Sequence, residues 1–181
     1  MSQNSIAEFG EIMQIAFVPQ DFDATVAHWV NMGAGPFFLL RNNQAEWHQA
    51  YGKDCRPVLD IALGQWGEMQ IEVIRQHSPE KTVYSDWFNA KKEGVHHTCI
   101  TTSDIDALKQ ACIDKGFEIV IEGRASGTRW FYADTGGGDG TYLEAIEREG
   151  GSAQLTKMLK DLHRDWDGSD PVREIDLTAG G

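Results

Sequence analysis

Only three cysteines, Cys55, Cys99 and Cys112, occur in 181 residues, and no CxxC pair is among them. That excludes a disulfide framework or a four-cysteine zinc site and points to a reduced, cytoplasmic setting. No apolar run approaches about eighteen residues, so no membrane span is expected. The first residues, Met1-Ser-Gln-Asn, lack the basic and apolar blocks of a signal peptide. Positive charge is also scarce. Sixteen Lys and Arg face 28 Asp and Glu, for a net charge of −12, which disfavours nucleic acid and anionic membranes as partners. An anionic small substrate stays compatible, because a few local arginines can set the potential inside a pocket. The glycine-rich Gly136-Gly-Gly-Asp-Gly140 lacks the Lys-Ser/Thr and following helix of a P-loop and reads as a flexible hairpin. No Ser-His-Asp or Cys-His spacing supplies a nucleophile.

What is present is an ordinary apolar fraction, 41%, arranged as a repeat. Gln14-Ile-Ala-Phe-Val-Pro-Gln-Asp21-Phe-Asp23-Ala24 lies over His97-Thr-Cys-Ile-Thr-Thr-Ser-Asp104-Ile-Asp106-Ala107, and Gly33 lies over Gly116. A second echo sets Ile71-Glu72-Val-Ile74 over Leu143-Glu144-Ala-Ile146. The pattern predicts a strand over 12–18, a helix N-capped by Asp21 with Phe22, Val26, Trp29 and Val30 on one face, and strands at 37–40, 58–63 and 68–75. The polar stretch Arg41–Pro57 reads as a long hairpin connection. Ser78-Pro79-Glu80 is read as the start of a linking helix, about 78–92, with Val83, Trp87 and Phe88. The second unit repeats the order with a strand over 95–101, a helix over 104–115 and strands at 117–122, 128–133 and 141–147. Leu155, Met158, Leu159, Leu162 and Trp166 give a C-terminal helix over 152–166, and 177–181 is expected to fray. The outline is a domain over 11–148, with module 1 about 11–76 and module 2 about 94–148, followed by a helix and tail over 149–181.

Strand parity places four potential ligands. Gln14 sits with Ala16 and Val18 on the face opposite Met13, Ile15 and Phe17. Glu72 shares a face with Gln70 and Ile74, His97 with Cys99, and Glu144 with Tyr142 and Ile146. All four fall mid-strand on the face expected not to pack helices. A mid-strand carboxylate among apolar residues is costly unless paired or coordinated. One imidazole, one amide oxygen and two carboxylates suit one divalent ion such as Zn, Ni, Co or Mn, with water in the open positions. The alternative is that Gln14 and His97 hydrogen-bond within the core while Glu72 and Glu144 face solvent.

With these motifs placed, the chain resembles the vicinal oxygen chelate superfamily, which includes glyoxalase I, methylmalonyl-CoA epimerase, extradiol dioxygenases and bleomycin-resistance proteins. The resemblance rests on Gln14-Ile-Ala-Phe-Val, Ile71-Glu72-Val-Ile74, Gly94-Val-His-His97-Thr-Cys-Ile and Gly140-Thr-Tyr-Leu-Glu144. The Gly94-Val-His-His97 string is closest to the epimerase branch. That branch usually carries His where this chain has Gln14; the Gln/Glu/His/Glu set is similar to that of some glyoxalases. The resemblance implies an α+β fold, two paired βαβββ modules forming a cup with the metal inside, and a homodimer. It implies a metal-dependent isomerase, epimerase or lyase that abstracts a proton next to the carbonyl of a small or acyl-CoA-like substrate. Glu144 is the expected base and Glu72 its partner. The competing class is a non-catalytic binding protein of the bleomycin-resistance type.

Secondary candidates carry weaker expectations. His96, next to His97, should face the other side of its strand and serve a supporting or core role. Glu46 and His48 read first as a solvated loop and second as an extra acid or base. Arg124, Arg129 and Trp130 offer a grip for a carboxylate or phosphate, or simply solubility at a strand edge. Cys99 is expected to line the pocket.

Overall fold

Asp21 and Asp104 stand at equivalent points of the repeat and start equivalent helices. The computed structural model describes residues 5–149 and 151–175; the end expected to fray lies outside them. Strand β1 (Ile12–Phe17) leads to helix α1 (Phe22–Asn31), and β7 (Val95–Thr102) leads to α3 (Ile105–Asp114). Asp21 Oδ1 accepts from Ala24 N and Asp104 Oδ1 from Ala107 N, each at 2.9 Å, which satisfies a backbone donor that the first helical turn leaves free. Each helix stops before a glycine of positive φ, Gly33 and Gly116, a conformation that costs an L side chain strain.

The remaining elements are β2 (Phe37–Asn43), β3 (Trp47–Ala50), β4 (Lys53–Asp54), β5 (Leu59–Trp66), β6 (Met69–Gln76), α2 (Val83–Asn89), β8 (Glu118–Ala125), β9 (Thr128–Asp134), β10 (Tyr142–Glu147), α4 (Gly151–Arg164) and β11 (Val172–Glu174). All strands join one mixed sheet in the order β11-β2-β5-β6-β1-β7-β10-β9-β8-β3-β4. Within it, β2-β5-β6-β1 mirrors β8-β9-β10-β7, and β1 pairs antiparallel with β7 at the junction. The two βαβββ modules therefore meet along the strands that carry Gln14 and His97. Helix α1 buries Phe22 and Val26 against Phe37, Leu39, Ala62, Ile71 and Val73; α3 buries Ile105, Leu108 and Cys112 against Phe131, Ala133, Leu143 and Ala145. Both lie on one face of the sheet. Side chains as large as these each contribute about 1.5–3 kcal/mol by leaving water.

Four expectations require correction. The opposite face, expected to be free of helices, packs two of them. Helix α2 sets Val83, Tyr84 and Trp87 among Val18, Ile74, Ile121 and Tyr132, and α4 sets Leu159 on Phe38, Leu40 and Leu63. The reason is compositional: that face carries those apolar side chains between its polar ones, and bare they would meet water. The stretch 41–57 is more than a hairpin connection. Its β3 crosses to module 2 and pairs antiparallel with β8, Trp47 opposite Arg124 and His48 opposite Gly123, which satisfies an otherwise open sheet edge. Gly123 is required there, because a Cβ would lie 2.2 Å from the Trp130 ring. The linking helix begins not at Ser78 but after Thr82, whose side chain accepts from Tyr84 N and Ser85 N in a capping box. Ser78 is occupied elsewhere, its Oγ accepting from Val58 N at 2.8 Å. Finally, β11 adds a strand beside β2 that the sequence pattern did not suggest. Among the described residues, no helix is long and apolar enough to cross a membrane.

One buried carboxylate pins module 1. Asp60 meets Arg75 at 2.7 Å, Arg41 at 2.9 Å and His77 at 3.0 Å. Burial alone would raise its pKa, but those partners and the Asn42 N–H hold it well below the ordinary carboxylate range.

Candidate metal centre

Register across four strands gathers the predicted residues. On β1, Gln14 is opposite Cys99 and Ala16 opposite His97. On the far side of β1, Ala16 is opposite Glu72; on the far side of β7, Cys99 is opposite Glu144. Only the Ala16 methyl stands between Glu72 and His97 in the row. The sequence alternation places all four on one face, and the junction of the modules brings Glu72, His97 and Glu144 to one point, with Gln14 on the adjoining strand, bonded to Gln70.

There His97 Nε2 lies 3.2 Å from Glu144 Oε2, 3.3 Å from Glu72 Oε2 and 3.3 Å from the Tyr132 hydroxyl. The ligand-type atoms of Glu72, His97 and Glu144 all lie within 4.8 Å of one another. Gln14, Glu72, His97 and Glu144 are 3%, 8%, 0% and 6% exposed, which overturns the alternative that the carboxylates face solvent. One Nε2–H serves one carboxylate at a time, and Glu72 Oε2 has no hydrogen-bond partner among the described residues; neither has Gln14 Oε1. A buried carboxylate oxygen without a donor beside a second carboxylate makes a site short of positive charge.

The electrostatics agree. Burial pushes the His97 imidazole down, but the Glu144 and Glu72 carboxylates beside it outweigh this and raise it to about 9. Burial raises the Glu72 carboxyl, the nearby Glu144 charge raises it further, and His97 opposes both. Burial also lifts the Tyr132 and Tyr84 phenols and the Cys99 thiol well above their ordinary values, with Glu144 adding to each. They are therefore neutral groups at physiological pH.

His96 departs from its expected direction. Ala16 pairs with His97 and Phe17 with Val95, so His96 is the extra residue of a β-bulge, and bulging breaks strict alternation. Its Nδ1 lies 2.8 Å from His97 Nδ1 and its Nε2 3.4 Å from Val83 O. A carbonyl only accepts, so His96 carries hydrogen on Nε2 and accepts through Nδ1. His97 then carries hydrogen on Nδ1 and turns Nε2 to the centre. The supporting role expected of His96 stands; the opposite-face reason for it does not.

The donor set fits a divalent cation. The 3.2 and 3.3 Å spacings exceed the length usual for charge-assisted N–H···O bonds, about 2.7–2.9 Å. They match the edge between two ligands each about 2.0–2.2 Å from one ion, roughly 3.0–3.4 Å. Glu72, His97 and Glu144 can together hold such an ion.

Three residues near the centre were not assigned roles from sequence. Tyr132 is the cross-strand partner of Glu144, Tyr84 of α2 stacks edge-on to it at 5.9 Å between ring centroids, and Gln70 accepts from Gln14 Nε2 at 2.6 Å. Gln70 shares the parity of Glu72 and was legible; Tyr84 required knowing where α2 docks.

The secondary candidates sort differently. Arg129 is held by Asp106 and Glu147, and Arg124 faces Glu46 at 3.6 Å. Their charges are thus met within the chain. Glu46 accepts from Ser126 N on the surface. His48 is no solvated loop residue: it is 4% exposed, with Nδ1 3.2 Å from Cys55 Sγ and Nε2 lacking a partner among the described residues. Burial, opposed by Glu80, lowers its pKa to about 4. Stability from a neutral His48 is present above about pH 6.5, the unfolded value, and is lost as pH falls through about 4, by up to about 3 kcal/mol. Denaturant titrations between pH 7 and 4 should show this loss in the wild type and a flatter profile in His48→Gln; identical slopes would refute it.

The family described as the Glyoxalase/Bleomycin resistance protein/Dioxygenase superfamily matches residues 13–133, a span that holds Gln14, Glu72 and His97. The chain belongs to this superfamily. Its fold recurs in a hypothetical protein from Bacillus halodurans (16% identity, TM-score 0.55, 78% of this chain and 96% of that one). It recurs in a methylmalonyl-CoA epimerase from Streptomyces coelicolor in complex with 2-nitronate-propionyl-CoA (19%, 0.52, 77% and 94%). The methylmalonyl-CoA epimerase from Mycobacterium tuberculosis is also similar (14%, 0.54, 86% and 99%). At such identities the likeness is one of fold. No curated protein sequence matches the chain. Superfamily membership and the Glu72–His97–Glu144 cluster rest on independent observations, one of sequence and one of geometry.

Proposed function

We propose that this protein is a divalent-metal-dependent isomerase, epimerase or lyase that moves a proton next to a carbonyl, with Gln14, Glu72, His97 and Glu144 as the metal ligands. The observation that carries the reading is the buried pair of carboxylates converging on His97 Nε2, with Glu72 Oε2 unpartnered among the described residues. When bound, the ion supplies Lewis acidity toward a substrate carbonyl oxygen, which makes the adjacent C–H more acidic. Glu144 takes that proton on a carboxylate oxygen. Tyr132, neutral and 3.3 Å from His97 Nε2, supplies a hydroxyl donor to the oxygen on which negative charge develops. If Glu72 returns the proton to the opposite face, epimerisation results; if one carboxylate takes and returns it between adjacent carbons, isomerisation results. The likeness to epimerases that act on acyl-CoA compounds supports an acyl-CoA-like or other small carbonyl substrate.

Metal-loaded protein incubated in D2O with a panel of acyl-CoA thioesters tests this reading, with deuterium at the α-carbon read by mass spectrometry. Incorporation that needs both protein and metal is the expected result. Turnover of the methylglyoxal–glutathione adduct would redirect it to a glyoxalase. A second reading, a non-catalytic small-molecule binding protein, is favoured by one observation, the packing of Tyr84 and α2 over the centre. It predicts no exchange on any of these substrates.

A further inference from the structure

Three buried glutamines stand side by side on the face that carries the centre. Gln65 is opposite Gln70 and Gln70 opposite Gln14 across β5, β6 and β1, and they are 1%, 4% and 3% exposed. Apolar side chains would occupy those places without desolvating an amide, so a row of three calls for a use of their polar ends. An amide has a donor end and an acceptor end, and its partners decide which way it lies. At the outer end, Gln65 Nε2 donates to the Gly67 carbonyl at 2.9 Å, an oxygen that can only accept. This fixes Gln65, whose Oε1 is buried without a partner among the described residues. At the inner end, Gln14 Nε2 donates to Gln70 Oε1 at 2.6 Å, which leaves Gln14 Oε1 as the spare atom. Gln70 stands between, with its oxygen taken by Gln14, while Gln65 is held apart by its own bond to Gly67.

Building on the metal-centre reading above, we infer that Gln70 is a positioning residue of this row: its Oε1, by accepting from Gln14 Nε2, presents Gln14 Oε1 rather than Nε2 to the cation. The inverted amide would turn an NH2 toward a positive ion, which it cannot ligate. Gln70 therefore acts through Gln14, and its effect disappears when Gln14 is gone.

Cobalt(II) titrations followed by the visible spectrum test the row in wild type, Gln70→Leu, Gln70→Glu, Gln14→Leu and the Gln14→Leu/Gln70→Leu double variant. Circular dichroism checks the fold of each. Gln70→Leu should weaken Co2+ binding about 10- to 100-fold and shift the visible band to that of Gln14→Leu. Gln70→Glu keeps an acceptor for Gln14 Nε2 and should keep the wild-type band. In the Gln14→Leu background, adding Gln70→Leu should change nothing further. Gln70→Met, equally long and without an acceptor, repeats the test should Gln70→Leu not fold. Wild-type protein that binds Co2+ while Gln70→Leu matches it in affinity and band overturns the row alone, as does an additive loss in the double variant. Wild-type protein that binds no Co2+ overturns the metal-centre reading, and the row with it.

Discussion

Glu144→Gln, assayed at saturating metal, is expected to slow α-proton exchange about 10²- to 10⁴-fold, the usual contribution of a positioned general base. The substitution keeps the shape of the side chain and one oxygen that can face a cation, but an amide does not accept a proton at neutral pH. Glu72→Gln is expected to act in the same direction. If the protein is an epimerase, exchange from one substrate enantiomer should survive in one variant and exchange from the other enantiomer in the other. Each carboxylate would then serve one face. Wild-type exchange in both variants would contradict the roles assigned to both residues. Loss of exchange together with loss of metal would show ligation alone, so metal content is measured on the same samples.

The second large effect concerns stability. Without a metal, the centre holds two buried carboxylates against one imidazole, and Glu72 Oε2 lacks a donor among the described residues. An ion bound by the folded state only, at about 1,000 times its dissociation constant, stabilises by about 4 kcal/mol. For a chain of this size that is a rise in Tm on the order of 10 °C. Zn2+, Ni2+, Co2+ or Mn2+ should produce this rise, a chelator should reverse it, and His97→Ala should remove it. An unchanged Tm with all four ions would count against a centre of this kind.

Much of this was legible from the sequence because strands alternate and the chain repeats. Parity alone put Gln14, Glu72, His97 and Glu144 on one face, and the echo put them on corresponding strands. The helix-starting roles of Asp21 and Asp104 followed from their spacing to the apolar residues behind them. What escaped depended on partners distant in the chain. His96 was assigned the wrong direction because a bulge is a property of two strands, and nothing in Gly94-Val-His-His97 marks it. The crossing of β3 to β8 was hidden because Trp47-His-Gln-Ala50 is short and polar, and its alternation has meaning only beside Ile121 and Gly123. Helix α2 was started too early because Ser78-Pro79 mimics a helix entry, whereas Ser78 is spent on Val58 N, just before β5, and Thr82 makes the cap. Tyr84 was missed as a consequence, since its place over the centre is set by how α2 docks.

The central claim is that four side chains from two repeated modules hold one divalent ion. Metal content per chain, measured after dialysis of purified protein against Zn2+, Ni2+, Co2+ and Mn2+ and then against metal-free buffer, tests it most directly. The account predicts one tightly held ion per chain in the wild type and none in Glu72→Gln/Glu144→Gln. A wild-type protein that retains no ion from any of the four, while folded, would contradict it.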